Sequence, residues 1–211
     1  MTGTTPVVPV WLVALVVGLL AAVMVAVVAV VWQLQVRPQY SSAAEMEVAR
    51  LEGAARVDPA DHATRLELAI AYHRASRFDE ALEAYRSALD DEPGNPVALY
   101  GAGLVHLERG EVAEGERLLL SVLEHEPGHV HAATVLGTLY AEQERYEELL
   151  AVVEPAAERS IGIVELCLLM GLAHENLGDS GRAEECFLSA LGYVPDLDES
   201  REALSRMGLG Y

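Results

Sequence analysis

The sequence predicts an all-α protein built from stacked pairs of helices and preceded by one apolar segment. Two observations predict this fold. Residues 62–95 read as two amphipathic stretches joined by a turn and closed by Pro93-Gly94, and this layout returns every 34 residues without insertions. Self-similarity at such a period is typical of stacked repeat proteins. Upstream, residues 10–32 contain neither a charge nor a proline.

The N-terminal segment, residues 1–36, is predicted to hold a single transmembrane helix over residues 10–32. These 23 residues span about 34 Å as an α-helix, which is enough to cross a bilayer core of about 30 Å. Trp11 and Trp32 lie near the two ends, where interfacial aromatic residues are common. A cleaved signal peptide with a site at Ser42-Ala43-Ala44 is the alternative, but the sequence has no basic region before the apolar run.

Small residues recur at every fourth position of the apolar segment and predict a stripe that packs against another helix. The stripe consists of Ala14, Gly18, Ala22 and Ala26. The nearest basic residues, Arg37 and Arg50, follow the segment and favour a cytoplasmic C-terminal domain only slightly, so the side of the membrane stays open. The chain has no lysine and is rich in alanine, glycine and valine, which indicates a GC-rich genome. We therefore expect a single-pass protein of a bacterial cytoplasmic (inner) membrane.

Beyond the apolar segment, the chain divides into a leading helix, four units and a cap. Residues 37–57 are predicted as a linker followed by a helix over 43–57. Asp58-Pro59 lies 34 residues before Glu92-Pro93, so this helix is in phase with the second helix of a unit. The four units occupy residues 58–197, with the repeats at 62–95, 96–129, 130–163 and 164–197. Residues 198–211 are predicted to form a C-terminal capping helix with a polar outer face.

Each unit repeats the same packing positions. A small eighth residue lets two helices approach closely, and a large apolar twenty-fourth residue fills the space between them. The eighth residues are Ala69, Gly103, Gly137 and Gly171; the twenty-fourth are Tyr85, Leu119, Val153 and Phe187. Asp61 and Asn95 are predicted to cap the first helices of units one and two, with Pro96 at the first helical position.

These phased positions resemble those of the tetratricopeptide repeat family over residues 62–197. The resemblance implies a right-handed α-solenoid of four helix pairs, with a leading half-unit and a capping helix. Unit three departs from the pattern, because Leu149 replaces a small residue and Ile161 replaces the closing proline. We expect this unit to pack more loosely or to tilt differently from the others.

The resemblance also implies a concave partner-binding surface, formed by the second, fifth, ninth and twelfth positions of the first helices. In this sequence those positions include Leu66, Ile70, His73, Tyr100, Leu104, Leu107, Thr134, Thr138, Leu168 and Leu172. An exposed apolar row of this kind usually marks a binding site. The basic clamp with which some family members hold a terminal carboxylate is missing. We therefore expect a peptide with apolar anchors, and the alternative is a groove filled by a second copy or by the leading helix.

Charge and motif content exclude several other functions. The net charge of −19 opposes binding to nucleic acid. We interpret it as a well-solvated outer face, and the alternative is selection for a basic protein partner. No phosphate-binding loop, nucleophile elbow or paired-cysteine motif occurs, so neither an enzyme nor a cofactor is predicted. His125, His129 and His131 are close enough in sequence to bind a metal, but capping or surface roles are preferred and no metal site is predicted. Cys167 and Cys186 are expected to be free thiols.

The leading hypothesis is a membrane-anchored scaffold or assembly factor that binds a protein or peptide through the concave surface. Membrane-anchored bacterial proteins that resemble this chain in size and layout include maturation factors for c-type cytochromes and other envelope complexes. The alternative is a regulatory or substrate-recruiting subunit of a membrane enzyme complex. Self-association of the chain is left open.

Overall fold

A computed structural model describes residues 43–58 and 61–209, and in this part of the chain it contains ten helices and no strand. Helix α1 covers residues 43–57. The others are α2 (His62–Arg74), α3 (Phe78–Asp91), α4 (Pro96–Glu108), α5 (Val112–His125), α6 (Val130–Glu142), α7 (Tyr146–Arg159), α8 (Val164–Asn176), α9 (Ser180–Tyr193) and α10 (Asp198–Arg206). From α2 onwards each helix packs against the next, so the predicted all-α stack of helix pairs is confirmed.

The predicted transmembrane helix over residues 10–32, with its stripe of Ala14, Gly18, Ala22 and Ala26, lies outside the described residues. Within residues 43–58 and 61–209, no helix is both long and apolar enough to cross a membrane.

Side-chain caps start the first helices as the sequence predicts. The Asp61 carboxylate accepts a hydrogen bond from the backbone N–H of Ala63 at 3.1 Å. The side-chain oxygen of Asn95 accepts two, from Val97 at 3.1 Å and Ala98 at 3.0 Å. Such caps satisfy N–H groups that have no partner inside the helix, and each stabilises the helix by about 1 kcal/mol.

Close contact at the eighth position holds each helix pair together. A Cβ atom added at Gly103 would lie 3.0 Å from Cγ of Leu119, and one added at Gly171 would lie 2.6 Å from Cε1 of Phe187. All four residues at the twenty-fourth position are at most 3% exposed: Tyr85, Leu119, Val153 and Phe187. Because Leu149 of unit three is also fully buried, its larger side chain is accommodated within the helix pair. Burial raises the pKa of Tyr85 to about 12.

A left-handed residue closes the turn between the two helices of every unit. Units two and four use Gly110 and Gly178, with φ of 77° and 82°, whereas units one and three use Ser76 and Glu144, each with φ of 58°. Glycine adopts this conformation without the steric penalty that a Cβ atom brings. The turns of units one and three are therefore strained relative to those of units two and four.

Replacing Glu144 with glycine should raise the free energy of unfolding by about 1 kcal/mol, because it removes this penalty. Urea denaturation followed by circular dichroism would measure the change. The matched control is Gly110→Ala in unit two, which should lose a similar amount. A Glu144→Gly protein no more stable than wild type would mean that the turn is not strained.

Ionic contacts join neighbouring units. Arg145 lies 4.3 Å above the ring of Tyr140, and both side chains donate hydrogen bonds at 2.9 Å to Glu116 of the preceding unit. The Arg145 guanidinium holds the pKa of Glu116 below its usual value. The Tyr72 hydroxyl similarly donates to Glu52 at 3.0 Å and joins unit one to α1. These contacts fix unit three on unit two and unit one on the leading helix.

A single helix covers each end of the described stack, and the two helices differ in the polarity of their outer sides. Val48 and Leu51 of α1 are buried against α2, whereas Met46 on the same helix is 67% exposed. At the other end, Ala203 and Leu204 of α10 are buried in a cluster with residues of α9. The remaining surface of α10 is mostly polar, as expected of a capping helix.

Candidate functional site

The predicted partner-binding residues lie on the first helices of the four units. The first-helix face is defined here as Leu66, Ile70, His73, Tyr100, Leu104, Leu107, Thr134, Thr138, Leu168 and Leu172. Thr138 is exposed and the other nine are half-buried. A half-buried apolar row combines a fixed position with access to a partner. The binding role of this face stays a prediction.

Part of the first-helix face also holds the stack together. Its packed members are Leu66, Ile70, Tyr100 and Leu107, which lie against the main core, and Leu168, which lies against the C-terminal cluster. Leu107 also fills the space next to Gly115, where an added Cβ atom would lie 2.7 Å from its Cγ. Leu104 and Leu172 belong to none of the hydrophobic clusters found among the described residues. These two leucines are therefore the apolar members of the face most available to a ligand.

Polar side-chain contacts to glutamates link α2 to α4 and α8 to α10 at one edge of this face. Nε2 of His73 lies 3.0 Å from a carboxylate oxygen of Glu108. Arg206 of the capping helix likewise donates to Glu175 of α8 at 3.0 Å. His73 is thus already engaged within the protein, and we expect it to contribute less to ligand binding than the apolar members.

A cluster of three rings on this face was missed by sequence reasoning. The ring centroid of Tyr100 lies 5.4 Å from that of His129 and 6.4 Å from that of His131, and the two imidazoles are 6.2 Å apart. His131 occupies the second position of unit three, which is one of the positions that line the face, and this signal was present in the sequence. The cluster provides an amphipathic surface, and Leu104 follows Tyr100 by one turn on the same side of α4.

His125, His129 and His131, which are close together in the sequence, have separate roles in the structure. Nδ1 of His129 accepts a hydrogen bond from the N–H of Ala132 at 3.1 Å and caps α6. The ring of His125 packs beside Gly94, where an added Cβ atom would lie 3.3 Å away, while His131 is exposed. Across the described ranges, no group of three side chains from histidine, cysteine, aspartate or glutamate is arranged to hold a metal ion.

Cys167 and Cys186 lie on the two helices of unit four, and both are free thiols. Both are half-buried, and the hydroxyl of Ser189 lies 4.0 Å from the Cys167 sulfur. Burial raises the pKa of Cys186 to about 11. A thiol protonated at neutral pH is a poor nucleophile, so this residue is a packing group.

The helix pairs and the half-buried face define the chain as a helical-repeat protein, and comparison with known families agrees. Tetratricopeptide repeat families match residues 48–96, 73–137 and 164–197. The chain belongs to the tetratricopeptide repeat family. The repeats support a role in protein–protein interaction as a scaffold, and this is the coarse function of the chain.

Individual relatives share the repeat. The chain is 26% identical over 153 residues to the TPR repeat-containing protein YpiA of Bacillus subtilis, and the match covers 72% of this chain and 36% of YpiA. Among solved structures, a tetratricopeptide repeat protein from Parabacteroides merdae has a TM-score of 0.63 at 20% identity, covering 84% of this chain and 72% of the other. MamA has a TM-score of 0.62 at 18% identity, covering 81% and 95%. At these identities the two structures show the fold alone.

Proposed function

We propose that the chain is a membrane-anchored scaffold whose first-helix face binds a peptide segment of a partner protein. The observation that supports this most strongly is the partial exposure of Leu104 and Leu172 and their position outside the hydrophobic clusters. Both are half-buried, and neither contributes to a hydrophobic cluster of the described residues. Burying such side chains against a ligand gains about 25 cal/mol for each Å² of apolar surface removed from water.

The proposed ligand carries apolar anchors and basic flanks. Leu104 and Leu172 occupy the same position of units two and four, so the face presents apolar contacts at repeated intervals, which suits an extended or helical segment. The net charge of −19 favours arginine or lysine beside the anchors. Electrostatic complementarity of this kind mainly raises the association rate and the specificity.

The proposed membrane anchor is the apolar segment at residues 10–32. Only a short linker separates it from α1, so the stack would lie close to the bilayer surface. The stripe of Ala14, Gly18, Ala22 and Ala26 would bring another transmembrane helix into contact. These features suit a protein that assembles an envelope complex in a bacterial inner membrane. Maturation of c-type cytochromes is the most specific role of this kind that we propose.

Membrane fractionation tests the anchor. We expect the full chain to stay in the membrane pellet after an alkaline carbonate wash, because a helix of this hydropathy inserts stably. A variant without residues 1–36 should move to the supernatant with its helical circular dichroism signal unchanged. Release of the full chain by carbonate, or a mature N-terminus near Ala43, would contradict the anchor and favour a cleaved signal peptide.

A further inference from the structure

A second apolar surface lies between α5 and α7, away from the first-helix face. We call it the second-helix groove, a cavity of about 270 Å³ lined by Leu120, Leu123, Glu124, Pro127, Ala151, Val152 and Pro155. None of these residues belongs to the first-helix face. Small-molecule sites typically enclose about 300–1,000 Å³, so this groove suits a single side chain of a peptide better than a whole small ligand.

Comparison of the repeats shows that the groove is a departure from the pattern. Three positions decide its polarity: the twenty-fifth of one unit and the twenty-second and twenty-sixth of the next. At the first junction of units they are Arg86, Arg117 and Ser121, and at the third they are Glu154, Glu185 and Ser189. At the middle junction they are Leu120, Ala151 and Pro155. The middle junction thus has apolar residues at the positions where the two neighbouring junctions have charged or hydroxyl-bearing residues.

Packing inside the protein leaves part of these apolar residues uncovered, although Leu120 also lies against the main core. Ala151 is exposed, and Leu120 and Pro155 are only half-buried. Pro155 lies inside α7, where a proline removes one backbone hydrogen bond from the helix. Pro155 and Ala151, the residue whose carbonyl would otherwise receive that bond, both line the groove.

The charges around the groove favour a basic ligand. Glu124 lines it, and Glu147 and Glu158 are exposed on α7. Arg159 is also on α7, but its side chain packs beside the turn at Gly128. A Cβ atom added at Gly128 would lie 2.9 Å from Cδ of Arg159. The net charge of −19 adds a long-range attraction for cations.

We propose that the second-helix groove is a separate docking site for a protein segment that inserts one large apolar side chain and carries arginine or lysine beside it. The site is independent of the first-helix face, so one scaffold molecule holds two segments at once.

The test uses the full chain in detergent micelles with Leu104→Glu and Leu172→Glu already introduced, so that binding at the first-helix face does not contribute. The probe is a fluorescein-labelled synthetic amphipathic peptide with leucines on one face and arginines on the other. Leu120→Arg with Pro155→Ser gives the groove residues that other units carry at the same positions, and an unchanged thermal unfolding curve shows that the fold is kept. The matched control is Val112→Arg, which adds the same charge to α5 outside the groove.

Fluorescence anisotropy should show that Leu120→Arg with Pro155→Ser weakens binding of the probe by about tenfold or more, as loss of an anchor pocket does. Val112→Arg should leave Kd unchanged, and a peptide of the same composition with its leucines dispersed should bind more weakly. Equal Kd values for the groove variant and the control would overturn the proposal. So would a wild-type dimer in sedimentation velocity that the groove variant makes monomeric, because a second copy would then be the occupant.

Discussion

Replacing Leu104 and Leu172 with glutamate should abolish capture of the partner while the helical signal persists. Both side chains are half-buried on the first-helix face and outside every hydrophobic cluster of the described residues. A carboxylate forced into an apolar contact loses hydration worth several kcal/mol without gaining a partner. We therefore expect the affinity to fall by about a hundredfold or more.

The structure decides which leucine to change in unit four. Leu168 also belongs to the predicted face, but it packs against the C-terminal cluster, so a glutamate there would weaken the stack as well as the ligand contact. Leu172 has no such role among the described residues. Val112→Glu with Leu177→Glu is the matched control, since these residues are 36% and 40% exposed and lie outside the face. Affinity purification from detergent-solubilised membranes measures capture, and equal recovery by the two double variants would count against the face.

Replacing Gly137 with leucine should lower the free energy of unfolding by about 3 kcal/mol. The first added carbon already meets the core, because a Cβ atom there would lie 2.8 Å from Cγ2 of Val153 and 3.0 Å from Cδ1 of Leu169. Val153 belongs to the same unit and Leu169 to the next. Neither can move far without disturbing the adjacent helix, so the overpacking affects two interfaces at once.

The matched control for this prediction is Gly192→Leu in α9. Nothing lies within 4 Å of a Cβ atom added there, so leucine should be neutral or stabilise the helix by up to about 1 kcal/mol. Thermal and urea unfolding of both variants provide the measurement. Equal stability of Gly137→Leu and wild type would show that the two helices of unit three are not in close contact.

The period of the sequence was sufficient to predict most of the fold. A 34-residue spacing placed the small eighth residues opposite the large twenty-fourth residues, and the structure shows this contact at Gly103 and Gly171. Helix caps at Asp61 and Asn95 followed from local residue preferences. Such features depend on nearby residues or on a constant repeat, and a single sequence carries both.

Contacts between units were harder to predict. The contact of Tyr140 and Arg145 with Glu116 joins residues 24 and 29 positions apart, and it depends on how far one helix pair is rotated against the next. Leu168 packs against the C-terminal cluster and Leu172 does not, and this difference also depends on contacts between helix pairs. Sequence spacing placed all the first-helix residues on one face, but it did not separate those that hold the stack from those left for a ligand.

The most direct test of the central claim is photo-crosslinking from the first-helix face in native membranes. A photoreactive amino acid at Thr138, which is exposed on α6, should form an adduct with the partner protein. The same amino acid at Val112, on the second helix of unit two, should form none. An adduct from Val112 with none from Thr138 would contradict a binding site on the first helices.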